Sequence, residues 1–251
     1  KYANVFWDEQ KRKGVTLYEA QSLMRERNYF ASMMVKNGDV DTMLSGYSRN
    51  YASVIKPVIS VVGKDKGISK IAATNMMLTD RGPIFLSDTS INIDPTAKEL
   101  AKIGFMTSKI VEMFGIKPVV AMLSYANFGS SKHSNSGKVT EAVSYSHRYY
   151  PDLVLDGPLQ SDFALNRDML KEKFPFSKIA KSNVNTLIFP NLESANITYK
   201  LMKELNKNQS IGPILLGLKE PIHVLQLGAS VDEIVNMAAV AVIDAQQKQK
   251  K

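Results

Sequence analysis

The polar residues of this chain that could handle a ligand gather where apolar runs stop. Leu187-Ile188-Phe189 ends at Pro190-Asn191 and hands over directly to a helical stretch. Asn191 can accept a free amide of that helix's first turn, and Glu193 suits the positive end of its dipole. The remaining amides could hold an anion or a polar ligand group. A second apolar run, 119–123, leads through Ser124 into the polar loop 125–137. The successive amides and hydroxyls of Asn127, Phe128, Gly129, Ser130 and Ser131, with Lys132, could surround a phosphate or a pantetheine-like group. They equally suit an ordinary strand-to-helix loop with a cap. Asp156, read at the end of a third run, could serve as a base, hold a ligand hydroxyl, or enter a helix-entry turn.

Several familiar chemistries lack their residues. Ser124 has no Gly-x-Ser-x-Gly elbow around it. Gly63-Lys64-Asp65-Lys66-Gly67 is not closed by Gly-Lys-Ser/Thr, and no Gly-x-Gly-x-x-Gly occurs to bind a dinucleotide. His133, His147 and His223 show no ligand spacing, so no metal site is expected. The chain contains no cysteine, which excludes disulfides and thiolate ligands and fits a reducing compartment. From the residues alone the outcome is an α/β protein with a polar cleft and an incomplete catalytic set.

The elements that must position these residues follow from periodicity and punctuation. Thr16 and Glu19 have capping-box spacing, and a helix over 29–36 should stop at Asn37-Gly38. Residues 40–46 read as a short buried strand ending in small polar residues, Ser45 among them, and 51–62 as a helix that tolerates Pro57. Residues 71–78 and 84–88 read as strands joined by a turn, and Asp94-Pro95-Thr96 opens a helix that Gly115 stops. Helices are expected over 139–149 and 161–171, and a strand over 211–217. Residues 221–230 read as a loop capped by Ser230, followed by a helix over 231–246. This alternation predicts parallel sheets covered on both faces.

Composition is that of a soluble globular protein, 44% hydrophobic and 22% charged. The net charge of +8 is spread over many helices, with Lys248, Lys250 and Lys251 merely ending the chain, so solvated faces are expected rather than a nucleic-acid partner. No apolar run approaches the roughly 20 residues of a membrane helix, and the first residues do not read as a signal peptide. A cytoplasmic protein without a membrane partner is expected. The opening 4–13 lacks a strand before its charged helical patch, which reads as a piece of a longer polypeptide.

Taken together, Gly38-Asp39-Val40-Asp41-Thr42-Met43-Leu44-Ser45-Gly46, Asp94-Pro95-Thr96, Met122-Leu123-Ser124, Leu155-Asp156-Gly157-Pro158-Leu159-Gln160, Phe189-Pro190-Asn191 and Gly212-Pro213-Ile214-Leu215 followed by Gly217-Leu218 resemble the phosphate acetyl/butyryl transferase family. Asn127-Phe128-Gly129-Ser130-Ser131, Pro221-Ile222-His223-Val224-Leu225 and Ile234-Val235-Asn236-Met237 resemble its members fused to bacterial NADP-dependent malic enzymes. The resemblance implies an α/β fold of two α/β/α sandwich domains with a cleft between them. The first would comprise 1–67 and 216–251, truncated at its start, and the second, inserted and dimerising, 68–215.

The resemblance also implies a chemistry that this chain has lost. In the family, an aspartate takes the thiol proton of coenzyme A, a serine assists the oxyanion and arginines grip the phosphate. The Ser-Arg-Gly run aligns with Gln226-Leu227-Gly228, the aspartate with Glu233, and two further arginines with Gln10 and Lys56. Leu227 and Gln10 cannot replace a planar guanidinium fork. A non-catalytic regulatory and oligomerisation domain is therefore expected, binding acetyl-CoA as an allosteric inhibitor through Ser45, Lys56, Asn127 to Ser131, Asp156, Asn191, Gln226 to Gly228, Ser230 and Glu233. No cofactor is expected in this domain, with NADP and a divalent metal belonging to the fused malic-enzyme part. The alternatives are an active phosphate acetyltransferase and a purely structural dimerisation module.

Overall fold

The computed structural model describes residues 1–206 and 209–249; Lys250 and Lys251, which the sequence reading placed at the end of the chain, lie outside them. In chain order the elements begin with α1 (Tyr2–Gln10), α2 (Leu17–Leu23), α3 (Arg27–Lys36), β1 (Met43–Ser45) and α4 (Tyr51–Val62). β2 (Ala72–Thr79), β3 (Gly82–Ser87), α5 (Ala97–Met113), β4 (Val120–Leu123), α6 (Ser134–Tyr149) and β5 (Leu155–Leu159) follow. The remainder is α7 (Ser161–Leu165), α8 (Arg167–Lys173), β6 (Thr186–Ile188), α9 (Leu192–Asn206), β7 (Ser210–Leu216), β8 (Ile222–Val224) and α10 (Val231–Gln249). The chain divides into two compact units, Lys1–Ile68 with Gly217–Lys251, and Ser69–Leu216.

In the first unit β1 and β8 form a two-stranded parallel sheet, pairing Met43 with Ile222 and Ser45 with Val224. Helices α3, α4 and α10 pack on it, burying Met33, Val54, Val58, Ile222, Val224, Met237 and Val240. The close pairing requires Gly46: at φ +112°, a Cβ there would lie 2.6 Å from the Leu225 carbonyl oxygen. The Asp65 amide donates to the Gly217 carbonyl, so within this unit the outgoing and returning segments are tied together.

The second unit carries a six-stranded sheet in the order β5-β4-β6-β3-β2-β7. Helices α5 and α6 cover one face, with Val111 against Met76 and Phe85. On the other face Ala164 of α7, Leu170 of α8, and Ala195 and Tyr199 of α9 join Ile84, Leu86, Ala121 and Leu187 in the main core. Strand alternation sends successive residues to opposite faces, which is why Phe85 and its neighbours Ile84 and Leu86 serve different helical layers.

The parallel-sheet expectation is corrected here. β2 runs antiparallel to both β3 and β7; beside β3 the reason is the short turn after Thr79, which returns the chain directly where a parallel strand would need a crossover of a dozen residues or so. Residues 221–230, read as a loop, contain β8, whose three residues are too few to signal themselves. The segment 161–171 is two helices broken at Asn166, whose side chain caps α8. Helix α6 starts at Ser134, earlier than the expected 139, because His133 caps it at the Asn135 amide.

Candidate functional site

The residues that follow β3, β4 and β6 at their carboxyl ends surround a cavity of about 740 Å³ in the second unit. Parallel strands in an α/β sheet bring ligands to this end, and the volume falls in the range of small-molecule sites. Leu123 and Phe189 are its nearly buried apolar members, while Ser124, Tyr125, Ser134, Asn135, Ser161, Asn191 and Ser194 supply hydroxyl and amide groups. Its charged members are Asp94, Lys138 and Glu193. Lys138 Nζ lies 2.6 Å from Asp94 Oδ1 and 3.0 Å from the Pro190 carbonyl oxygen.

The wall after β3 is built around one buried carboxylate. Asp88 Oδ1 accepts the amides of Ala73, Ser90 and Ile91, and Oδ2 accepts the Asn92 amide at 2.9 Å and Asn92 Nδ2. Burial raises the Asp88 carboxyl above its ordinary range, against the lowering effect of the Ser90, Asn92 and Ala73 donors. Helix α9 braces the same loop: Asn196 Nδ2 donates to the Thr89 carbonyl and the Leu192 amide to the Ile93 carbonyl. Asn191 accepts the Ser194 amide at 2.9 Å, the cap expected from its place before α9.

The other residues singled out in the sequence fall as follows. Asn127 exchanges two hydrogen bonds with Gln160, its Nδ2 donating to Oε1 at 2.7 Å and its Oδ1 accepting the amide at 2.8 Å. Ser130 Oγ accepts the Asn127 amide, and Ser131 Oγ bonds the Tyr125 hydroxyl. Phe128, at φ 46°, packs its ring against Phe174 and Phe176. Gly129 sits in the short 3-10 turn Phe128–Ser130. These groups brace β4 against the segment after β5, and the cavity lining comes from the flanking residues Ser124, Tyr125, Ser134, Asn135 and Lys138.

Asp156 lies within β5 rather than at its end, correcting the sequence reading. Its carboxylate accepts the Gly157 amide, Ser177 Oγ and the Lys178 amide. The strand runs on to Leu159 because Gly157, at φ +149°, lets the backbone pass Met122, whose carbonyl a Cβ would meet at 2.5 Å.

In the first unit Ser45 Oγ donates to the buried Asn28 side chain, and its carbonyl accepts the Leu225 amide at 2.7 Å. Ser45 and the loop of Gln226, Leu227 and Gly228 thus lie at one end of the two-stranded sheet. Leu227 is 71% exposed. Glu233 and Ser230 form a capping box on α10, with the Ser230 amide donating to Glu233 Oε2 and the Glu233 amide to Ser230 Oγ. Lys56 is exposed on α4, and Gln10 Nε2 donates to the Ser60 carbonyl. Sequence reasoning missed Lys138, which carries no local signal beyond a helical lysine. Asp94 had been read only as a helix opener.

The pattern described as Phosphate acetyl/butaryl transferase matches residues 1–242. This chain belongs to that family. It is 36% identical over 247 residues to the NADP-dependent malic enzyme of Salmonella typhimurium, covering 98% of this chain and 32% of that enzyme. It is 34% identical over 253 residues to the phosphate acetyltransferase of Clostridium acetobutylicum, covering 98% of this chain and 76% of that protein. The chain thus spans about a third of the malic enzyme it matches. The phosphotransacetylase structure from Streptococcus pyogenes superposes with a TM-score of 0.91 at 36% identity, over 100% of this chain and 75% of that one. The fold is the α/β fold of the phosphotransacetylases, and the resemblance drawn from the motifs holds at family level. Among the described residues, no helix of this family member is long and apolar enough to cross a membrane.

Proposed function

We propose that this chain is a non-catalytic, acetyl-CoA-responsive regulatory domain of an NADP-dependent malic enzyme. Oxidative decarboxylation of malate, NADP and the divalent metal belong to a fused catalytic part, and acetyl-CoA inhibits from here. The observation that carries the reading concerns guanidinium groups. The family resemblance would set the transferase arginines where this chain holds Gln10, Lys56 and Leu227. Arg49 pairs with Glu26, and Arg81 donates to the Leu165 carbonyl. Each missing transition-state donor removes about 2.7–4 kcal/mol.

The second-unit cavity, with Asn191 in its wall, supplies part of the effector's site in this reading. Ile197, Leu201 and Leu205 are exposed at four-residue spacing on α9, an apolar stripe that supports pairing of chains in the cytoplasm. An effector inhibits only by preferring one arrangement of the protein, since equal affinity for both shifts nothing.

The test is incubation with coenzyme A and acetyl phosphate, followed by thermal unfolding with acetyl-CoA. No acetyl-CoA should form above background. Acetyl-CoA at about 100 times its dissociation constant should stabilise by about 2.7 kcal/mol. Turnover near the ordinary enzymic range of about 1–1000 per second overturns the proposal in favour of an active phosphate acetyltransferase, a reading supported by the equal similarity to such enzymes. Absence of any shift leaves a structural dimerisation module.

A further inference from the structure

The charge arrangement within the second-unit cavity carries an inference of its own. Lys138 is the one cation among the described lining residues. Its side chain is 23% exposed and fixed at two points, the Asp94 carboxylate and the Pro190 carbonyl. Asp94 is 77% exposed, and its side chain accepts no other hydrogen bond among the described residues. The lysine is therefore held by the protein while its counter-ion stands in solvent.

An ion pair with one partner this exposed is weak, because water screens the Asp94 charge and competes with the lysine for it. A strong anion entering the cavity can replace Asp94 on Lys138 without leaving a buried charge behind: the carboxylate is hydrated where it already stands. The ammonium keeps its Pro190 contact throughout and loses no fixed position. The side chains of Ser134, Asn135 and Asn191 share the lining and can donate to the anion's remaining oxygens.

We propose that Lys138 is the anion anchor of this cavity and Asp94 its removable counter-ion, so that a phosphate-bearing ligand binds by taking the place of the Asp94 carboxylate. The inference deepens the effector reading and rests on it for the identity of the ligand. It makes Asp94 a specificity residue: a ligand without a strong anion cannot displace it.

Titration calorimetry of the whole chain with acetyl-CoA and, separately, with inorganic pyrophosphate tests the exchange. Lys138→Gln should weaken both ligands by about ten- to a hundredfold, the loss of one charge-assisted hydrogen bond. Asp94→Asn should tighten both, by up to about fivefold, and should have no effect once Lys138 is Gln. Unchanged affinity in Lys138→Gln, or an Asp94→Asn effect that persists in the double variant, overturns the proposal.

Lys138 also ties α6 to Pro190, so circular dichroism of Lys138→Gln checks folding. If that variant does not fold, Asp94→Asn decides alone, and unchanged affinity there overturns the exchange. Pyrophosphate binding that depends on Lys138, with no acetyl-CoA binding, upholds the anchor and removes the effector reading. Acetyl-CoA binding indifferent to Lys138 does the reverse, and no binding of either ligand removes both.

Discussion

Replacing Asp88 should collapse the wall of the cavity that carries Ile93 and Asp94. Its carboxylate accepts four backbone amides and one side-chain amide. After Asp88→Ala, the amides of half-buried Ser90 and Ile91 can turn to water, but Ala73 and Asn92 are buried. Two orphaned buried donors at about 1–3 kcal/mol each give a loss of about 2–6 kcal/mol. Asp88→Asn keeps one acceptor oxygen and should lose less.

The pH dependence gives a second, independent sign. Burial lifts the Asp88 carboxyl above its ordinary value. Its contribution to stability is therefore fully present below the unfolded value of about 3.9 and is lost as pH rises through the higher folded value. Asparagine has no such loss, so the deficit of Asp88→Asn relative to the parent should narrow as pH rises above about 4.

The assay must report on the right unit. The single tryptophan, Trp7, lies on α1 in the first unit, so its fluorescence is a probe of that unit. Hydrogen exchange of residues 73 and 88–94 across a urea series reads the second unit residue by residue. An Asp88→Ala variant within about 0.5 kcal/mol of the parent, or an Asp88→Asn deficit that widens with pH, would refute the reasoning.

Two further outcomes are expected. Gly46→Ala places a Cβ 2.6 Å from the Leu225 carbonyl at φ +112°, which should destabilise the first unit by about 1–3 kcal/mol or more; Trp7 fluorescence during urea unfolding reads it, and an unchanged midpoint contradicts it. Restoring guanidinium groups with Gln10→Arg, Lys56→Arg and Leu227→Arg together should raise acetyl-CoA formation by about a hundredfold or more over the parent chain. A coupled assay showing no rise means that something other than the missing arginines silences the chemistry.

Much of the local structure was legible because it is local. The Thr16 capping box, the helix opening at Asp94-Pro95-Thr96, the Asn191 cap and the Gly38 and Gly115 helix stops are set by residues within a few positions of one another. The turn between β2 and β3 announced itself in the same way. β8 did not, since Ile222 to Val224 is a strand only because β1, far away in the chain, pairs with it. The extent of β5 was hidden for a similar reason: whether Gly157 ends a strand or lets it pass Met122 depends on the neighbouring backbone.

The sequence by itself determined the family and the order of most elements, because motifs and side-chain chemistry are written residue by residue. Only the tertiary structure decided how polar groups are shared. It committed Asn127 to Gln160 and Asp156 to Ser177, and set Lys138 between Asp94 and the Pro190 carbonyl. Hydrogen bonds and ion pairs act over a few ångströms of space, and residues 44 or 52 positions apart meet at that range only when the sheet and its helices have brought them together.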